Sequence, residues 1–546
     1  MDIVIVGGVA AGMSTAARLR RLEETATITV IEKSNHVSFA NCGLPYHVGG
    51  IIEERTALLL QTPQTLTTRF NINVRTRTEA TAINRDAKTL HIRDLTTGNE
   101  TDLPYDALVL APGATPIRPP IPGIERAKTL RNIEDTDAII DAAAKAQTAI
   151  VIGGGFIGVE MAENLLHRGL KVTLIEASPQ VMPPIDKEMV AQVHQTITDA
   201  GITLRLSTTV TAISENHVEL HNGEQLPADL VITAIGVRPE SHLAAQAGLQ
   251  LGEHGGIIVD DHYRTSDPSI YAAGDAAQKK DAITGTDTLI PLANTANLQG
   301  RRIADTITGR DVPNRPVLGT AIVGILGLQV ATVGWNEKRL IAAGRQYRAI
   351  HTHPTTHANY YPGANSLALK LLIDPHTDTI LGAQAIGKDG ADKRIDIIAT
   401  AMQAGLHACD LAELELAYAP QFGSAKDPIN MLGFIAENRA TGVEKTIQWH
   451  ELATAQHDGA TLIDVRTPTE FTAGAIPGAI NVPLDELRER LTEIPQNNVI
   501  VHCAVGIRGH IASRILTAPG YHVRNLDGGY RTWAAGTTTH PTPKQN

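Results

Sequence analysis

Cysteine is scarce in this chain of 546 residues: only Cys42, Cys409 and Cys503 occur, far apart in the sequence. Three thiols so spaced make no disulfide framework, and a reducing, cytoplasmic setting is expected. No apolar run approaches the ~18 residues of a membrane span, so no membrane partner is expected. The N-terminus enters a strand at once, without the basic and apolar regions of a signal peptide. Basic residues are not in excess. The formal net charge is −11, which argues against nucleic acid as the main partner. What remains is an ordinary globular composition, 42% hydrophobic and 19% charged with 47 glycines, long enough for about three or four domains.

The scarcity sharpens attention on Cys42, within Ser38-Phe39-Ala40-Asn41-Cys42-Gly43-Leu44-Pro45-Tyr46. A strand ending at Glu32 precedes it, and Pro45 predicts a helix starting there. A thiol at a helix N-terminus is expected to favour thiolate. With no second cysteine nearby, a redox role requires an external sulfur. Taken alone, Cys42 equally suits a small buried hydrophobe.

The flanking sequence decides between these readings. Ile3–Val6 reads as a parallel strand buried on both faces, followed by Gly7-Gly8-Val9-Ala10-Ala11-Gly12 and a helix over Met13–Arg21. A second strand, Ile28–Ile31, ends in Glu32, 20 residues after Gly12. This is a βαβ dinucleotide unit whose acidic residue is placed for a ribose hydroxyl, although Val9 replaces the middle glycine. A second unit is complete. Strand Ala149–Ile152 leads into Gly153, Gly155 and Gly158, the helix carries Glu160, and strand Val172–Ile175 ends in Glu176. Glu176 would accept from a ribose 2′-hydroxyl and repel a 2′-phosphate, so NADH is expected in preference to NADPH. Two such units imply FAD first and NAD second. Val109–Gly113 and Thr233–Gly236 suit chain crossings between the two domains. The run Ser269-Ile270-Tyr271-Ala272-Ala273-Gly274-Asp275 resembles the second FAD motif of the two-dinucleotide flavoprotein disulfide reductases, in which the aspartate holds the ribityl chain.

Residues 1 to about 440 resemble the coenzyme A-disulfide reductase and NADH oxidase branch of the pyridine nucleotide-disulfide oxidoreductase family. The resemblance rests on the single-cysteine run Ser38–Cys42, on Tyr360-Tyr361-Pro362-Gly363-Ala364, and on Tyr418-Ala419-Pro420-Gln421-Phe422 leading to Lys426. It implies a homodimer in which tyrosines of residues 311–440 reach the other subunit's active site. It also implies Cys42 as nucleophile, Ser38 and Asn41 at the pantetheine end of coenzyme A, and Ser14, Arg18 and Arg21 near its adenosine and phosphates. Asn297 and Lys426 fall at ligand-proximal positions, and Tyr360 and Tyr418 near the sulfur. Tyr360 is preferred to Tyr361. Two positions depart from the pattern: Asn297 stands where some relatives have histidine, and Phe70 where some have lysine. Arg18 and Arg21 also fit a solvated helix face.

After a linker at Thr441–Lys445 the pattern changes. Leu462–Arg466, the loop His502-Cys503-Ala504-Val505-Gly506-Ile507-Arg508 after strand Val499–Val501, a helix over Ile511–Leu516, and Leu526–Tyr530 resemble a rhodanese domain. Its loop would cup a persulfide on Cys503 with backbone amides, aided by Arg508. Cys409 has no such setting and reads as structural.

The expected architecture is α/β throughout. An FAD-binding domain is expected over 1–115 and 240–310, and an NAD-binding domain over 116–239. An α+β dimerisation domain over 311–440 and a rhodanese domain over 446–546 complete the chain. The expected activity is FAD-dependent, NADH-using reduction of coenzyme A disulfide, coenzyme A persulfide or polysulfide, fused to a sulfurtransferase taking sulfane sulfur. No metal is expected. The alternatives are an NADH oxidase working through a cysteine sulfenic acid, or a flavin-containing thiol redox sensor.

Overall fold

The computed structural model describes residues 1–496 and 498–538; residue 497 and positions 539–546 of the stretch read as rhodanese lie outside the described residues. The described residues gather into two compact units, one of residues 1–181 and 202–319, the other of residues 182–201 and the chain from 320 onward. Among the described residues no helix is long and apolar enough to cross a membrane.

The first unit is built on the apolar runs singled out above. Asp2–Val6 lies at the centre of a five-stranded parallel sheet, flanked by Thr27–Ile31 and Ala107–Leu110, with Ile72–Arg75 and Ile270–Ala272 at the edges. Its strands are apolar on both faces because both are covered. Ile3, Ile5, Ile28 and Val30 pack toward the helix Ala10–Leu22, while Val4, Val6, Ile31 and Leu108 face a second cluster with Leu90 and Ile92. A four-stranded parallel sheet repeats the scheme, with Thr148–Ile152 between Lys171–Ile175 and Leu230–Thr233. The two runs read as chain crossings lead into Ala114–Pro116 and Val237–Pro239, which pair antiparallel with Thr115 opposite Arg238. Two three-stranded antiparallel sheets and a short antiparallel pair, Lys279–Lys280 with Asp287–Thr288, complete the unit among the described residues.

The second unit holds a five-stranded antiparallel sheet in the order 321–325, 328–334, 380–387, 367–373, 348–352, with helices Ala391–Ala404 and Pro428–Ala440. It also holds a five-stranded parallel sheet centred on Asn498–His502. That sheet has one apolar cluster on each face, around Val499 and Val501 on one side and Ile500 and Leu526 on the other. Helix Lys187–Asp199 lies inside the stretch read as NAD-binding, yet it belongs to this unit and packs on helix Gly529–Thr537.

Candidate active site

The two glycine loops have the same construction. Gly7 and Gly153 adopt φ of +100° and +107°, where a side chain is strained. Cβ atoms built on Gly12 and Gly158 would lie 1.9 and 1.8 Å from the carbonyl oxygens of Gly7 and Gly153. The helices can therefore start hard against the strands, and their first amides face an open cradle. The acidic residues match as well. The Glu32 carboxylate accepts from the amides of Gly8 and Ser34, both at 2.8 Å. The Glu176 carboxylate accepts from those of Gly154 and Ser178, both at 2.7 Å. A Cβ on Gly155 would meet nothing within 4 Å. Val9, the substituted position of the first loop, has φ −118°, outside the left-handed region that favours glycine; a side chain is accommodated there without left-handed strain.

Gly274 and Asp275 close the first cradle. The Gly274 amide donates to Gln299 Oε1 at 2.9 Å, and the buried Lys279 ammonium donates to the Gly274 carbonyl at 2.7 Å. Burial lowers the Lys279 pKa to about 8 against the opposing pull of Asp275. The half-buried Asp275 carboxylate has no hydrogen-bond partner among the described residues, and burial pushes its pKa up. A glycine cradle and an unpartnered acid beside it fit a bound dinucleotide.

Cys42 sits in a 3₁₀ turn, Asn41–Gly43, before a helix of five residues, Leu44–Val48. The segment is fastened to the first glycine loop. Ser38, held at φ +48°, donates its amide to the Gly8 carbonyl at 2.7 Å, and Ala40 donates to Leu58 at 2.8 Å. The Cys42 side chain is exposed, with its thiol 3.9 Å from Asn41 Oδ1. The thiol is pushed up, first by desolvation against the surrounding protein and then by the negative charges of Glu160 and Asp275. This is opposite to the expectation of a favoured thiolate, because a helix of five residues contributes little dipole against those two effects.

Glu160 was not singled out as a site residue. Its side chain accepts from the Tyr46 hydroxyl at 3.0 Å, and burial raises its pKa to about 7. The carboxylate is therefore charged above that pH and neutral below it. Glu160→Gln is expected to speed alkylation of Cys42 by iodoacetamide several-fold on the alkaline side, where a repelling charge is removed, and to change little in acid. Peptide mass spectrometry across pH reads this directly; a profile superimposable on the parent's would rule the coupling out.

The helices Ala10–Leu22 and Ala293–Ile307 lie side by side. Between them Ser14 Oγ donates to Asn297 Oδ1 at 2.5 Å. Arg18 is half-buried and gives Nε and Nη2 to Asp305 Oδ1 at 3.0 and 2.7 Å. Arg21 is exposed and has no side-chain partner among the described residues. Of the two arginines, then, Arg21 keeps its full charge available, while Arg18 is neutralised by Asp305. Phe70, at the departing position, packs against the apolar cluster.

In the second unit the Tyr360 and Tyr418 hydroxyls lie 3.0 Å apart, on side chains 72% and 48% exposed. Tyr361 instead stacks edge-on against His357. Lys426 is exposed and immediately precedes Asp427, which caps helix Pro428–Ala440 and pairs with the buried Arg394 at 3.0 Å.

The Cys503 loop turns its carbonyls outward. The Cys503 carbonyl accepts from the Tyr530 amide at 2.8 Å, that of Ala504 from Arg531 at 3.0 Å, and that of Gly506 from Asn525 Nδ2 at 3.0 Å. The Gly506 N–H donates to the fully buried Cys503 Sγ at 3.1 Å. An amide donor at the sulfur, with the Cys503, Ala504 and Gly506 carbonyls engaged elsewhere, suits an anionic sulfur. Arg508 gives both ends of its fork to Glu470, at 2.8 and 2.7 Å, and this pairing holds the Glu470 carboxyl down at about 2. Neither Glu470 nor Asn525 stood out in the sequence, since their partners lie 38 and 19 residues away. Cys409 is half-buried, its thiol pushed up to about 12 by burial and by Asp378.

Comparison with known proteins agrees with this construction. Residues 1–300 match the model of the pyridine nucleotide-disulphide oxidoreductase family, residues 320–427 its dimerisation domain, and residues 448–536 the rhodanese-like domain. The chain is similar to the solved structure of reduced CoADR-RHD from Bacillus anthracis, with 48% identity, 98% of both chains covered and a TM-score of 0.96. It is similar to an NAD-dependent persulfide reductase from A. fulgidus, with 39% identity, 98% of this chain and 100% of that one covered, and a TM-score of 0.92. A coenzyme A disulfide reductase of Staphylococcus aureus (strain JH9) is 36% identical over 440 residues, 80% of this chain and 99% of the relative. The family binds FAD and a nicotinamide dinucleotide, and both glycine cradles fit that pair. The chain thus belongs to the pyridine nucleotide-disulphide oxidoreductase family, as an enzyme of that class with a rhodanese-like domain at its C-terminal end.

Proposed function

We propose that this enzyme uses NADH to reduce a disulfide or persulfide of coenzyme A through Cys42, and that Cys503 takes sulfane sulfur for the same chemistry. The observation that carries the reading is a single exposed thiol, tied by Ser38 to the first glycine loop and lying near Asp275, with no second cysteine in its unit. Such a thiol has no internal disulfide to make, so the sulfur it exchanges with arrives from outside. Bound FAD supplies two electrons received as hydride from the nicotinamide. Cys42 Sγ attacks the substrate, forming a mixed disulfide with coenzyme A and releasing coenzyme A thiol from the disulfide or hydrogen sulfide from the persulfide. Two electrons and two protons then return both sulfurs to thiols. Ser38 and Asn41 flank this sulfur at the pantetheine end, and Ser14, Asn297, Arg18 and Arg21 bind the nucleotide end, with Arg21 meeting the phosphates. Glu32 and Glu176 hold the ribose of the first and second dinucleotide. The charge of Glu176 favours NADH over NADPH. In a homodimer the exposed Tyr360–Tyr418 pair and Lys426 complete the second subunit's thiol site, a tyrosine hydroxyl giving a proton to the leaving thiolate.

Anaerobic NADH oxidation with coenzyme A disulfide and coenzyme A persulfide in parallel tests the reading. Faster persulfide turnover, weakened several-fold at low substrate by Cys503→Ser, is expected. Disulfide turnover indifferent to Cys503→Ser would limit the enzyme to the disulfide. NADH consumption in air alone, independent of coenzyme A, would replace both with an oxidase.

A further inference from the structure

We propose that His351 is a positioning residue for the Cys503 site: from the antiparallel sheet it fixes, through Asp527, the backbone segment that shapes the sulfur-binding loop. The inference rests on the reading of Cys503 as a sulfane sulfur acceptor.

The link is continuous. His351 lies on the edge strand Arg348–Thr352 and is fully buried. Its Nδ1 is 2.7 Å from Asp527 Oδ2, its backbone amide donates to the same oxygen at 3.1 Å, and its Nε2 is 2.9 Å from Glu188 Oε1 on helix Lys187–Asp199. Asp527 also accepts from Arg439 and from Gln448 Nε2. Its carboxylate is thus held mostly by residues outside its own sheet.

Asp527 is followed by Gly528 and Gly529, both in the left-handed region at φ +67° and +63°. They are wedged between His351 and the loop. A Cβ on Gly528 would lie 2.8 Å from His351 Cβ, and one on Gly529 would lie 2.5 Å from the Cys503 carbonyl oxygen. The next two amides, of Tyr530 and Arg531, are those that hold the Cys503 and Ala504 carbonyls outward. Whatever fixes Asp527 therefore fixes which way the Cys503 and Ala504 carbonyls point, and with them the loop that brings the Gly506 amide to the sulfur.

Both ring nitrogens of His351 face carboxylates, so the link is complete only when the ring carries both protons. Among the described residues, the charged and titratable groups facing it are Glu188, Lys370 on the paired strand, Glu337 beside that lysine, Asp527 with its partner Arg439, His353 two residues along, and Arg531 beyond it. Burial works against the second proton, but the bonds to Asp527 and Glu188 outweigh it and raise the His351 pKa to about 9. A group raised above its unfolded value holds its contact below that pH and loses it as pH rises through it.

The test loads Cys503 of the full-length FAD-bound enzyme with sulfane sulfur from thiosulfate or from cysteine persulfide. In the thiosulfate arm the S–S bond breaks as the Cys503 sulfur binds the outer sulfur. The bond pair leaves with sulfite, so thiolate and thiosulfate become persulfide and sulfite. Peptide mass spectrometry reads the rate against pH, and coenzyme A disulfide reduction serves as the control. Wild-type loading is expected to fall as pH rises through about 9. His351→Gln, which cannot take the second proton, is expected to load about tenfold more slowly near neutrality, with no fall at that pH and with disulfide reduction retained. Glu188→Gln removes one charge from the ring's surroundings and is expected to bring the fall to lower pH; this holds the test even where His351→Gln does not fold. Wild-type rates in His351→Gln, or an unmoved fall in Glu188→Gln, would overturn the positioning role alone. No loading of wild-type Cys503 from either donor would overturn the acceptor reading, and this inference with it.

Discussion

Cys42→Ser is expected to lower NADH-dependent reduction of coenzyme A disulfide on the order of 10³-fold or more, while bound flavin is still reduced by NADH. A serine hydroxyl neither ionises usefully near neutrality nor forms a mixed disulfide, so the covalent step is lost outright. The dinucleotide cradles are untouched: Gly7, Gly12 and Glu32 hold their places through contacts of their own, and among the described residues the Cys42 side chain makes no hydrogen bond beyond its long approach to Asn41. An exposed side chain carries little packing, so the unfolding free energy should stay within what surface substitutions cause, about 0.5 kcal/mol either way. The pairing of lost turnover with intact flavin reduction separates a nucleophile from a small buried hydrophobe, the other reading that a lone cysteine admits. Retained disulfide turnover would end the proposal, and slow flavin reduction in both proteins would favour a redox sensor over a reductase.

The parts of the molecule legible in the sequence are those whose physics is local. Ile3–Val6 and Ala149–Ile152 read as buried strands because parallel strands covered on both faces are apolar at every position, and the structure extends each by one residue. The glycine positions were readable because a left-handed turn and a close helix–strand approach each exclude a side chain, whatever surrounds them. Helix Ile507–Thr517 begins four residues earlier than Ile511–Leu516, since Gly506 at φ +105° lets it start directly from the loop. The state of Cys42 was not legible. Its thiol responds to Glu160, 118 positions on, and to Asp275, and to its surroundings, none of which local pattern reports. The engagement of Arg18 by Asp305 and of Arg508 by Glu470 was hidden for the same reason: a charge run shows that cations are present and not what neutralises them. The buried polar link through His351 was least visible of all, because a histidine following Ala349 and Ile350 in a strand looks like any core position until its two carboxylate partners, Asp527 and Glu188, arrive from distant parts of the chain.

That link ends in a cation whose removal carries the largest expected cost to stability. Lys370 is fully buried, with its ammonium 2.9 Å from Asp186, 3.1 Å from Glu337 and in contact with Glu188. Asp186, Glu188 and Glu337 bring three carboxylates within 4.8 Å of one another, an arrangement that elsewhere could hold a metal ion, and here the cation among them is the protein's own. Burial works against the charge on Lys370, yet the three carboxylates outweigh it and raise its pKa. Glu188 stays well below the usual carboxylate range for the reciprocal reason, with burial opposed by Lys370 and His351. Lys370→Met fills the space and deletes the charge, leaving buried carboxylates without their counter-ion, which is expected to cost about 3–5 kcal/mol. The sign of its pH dependence follows. The lowered Glu188 contributes stability above its ordinary range and loses it as pH falls, whereas in the variant the same carboxyls gain by protonating. The gap between parent and variant should therefore be widest in alkali and narrow toward acid. Urea unfolding of the FAD-loaded proteins at several pH values measures it. A loss below about 1 kcal/mol, or a gap that does not change with pH, would mean that the cluster is relieved by water and that Lys370 is not what holds it.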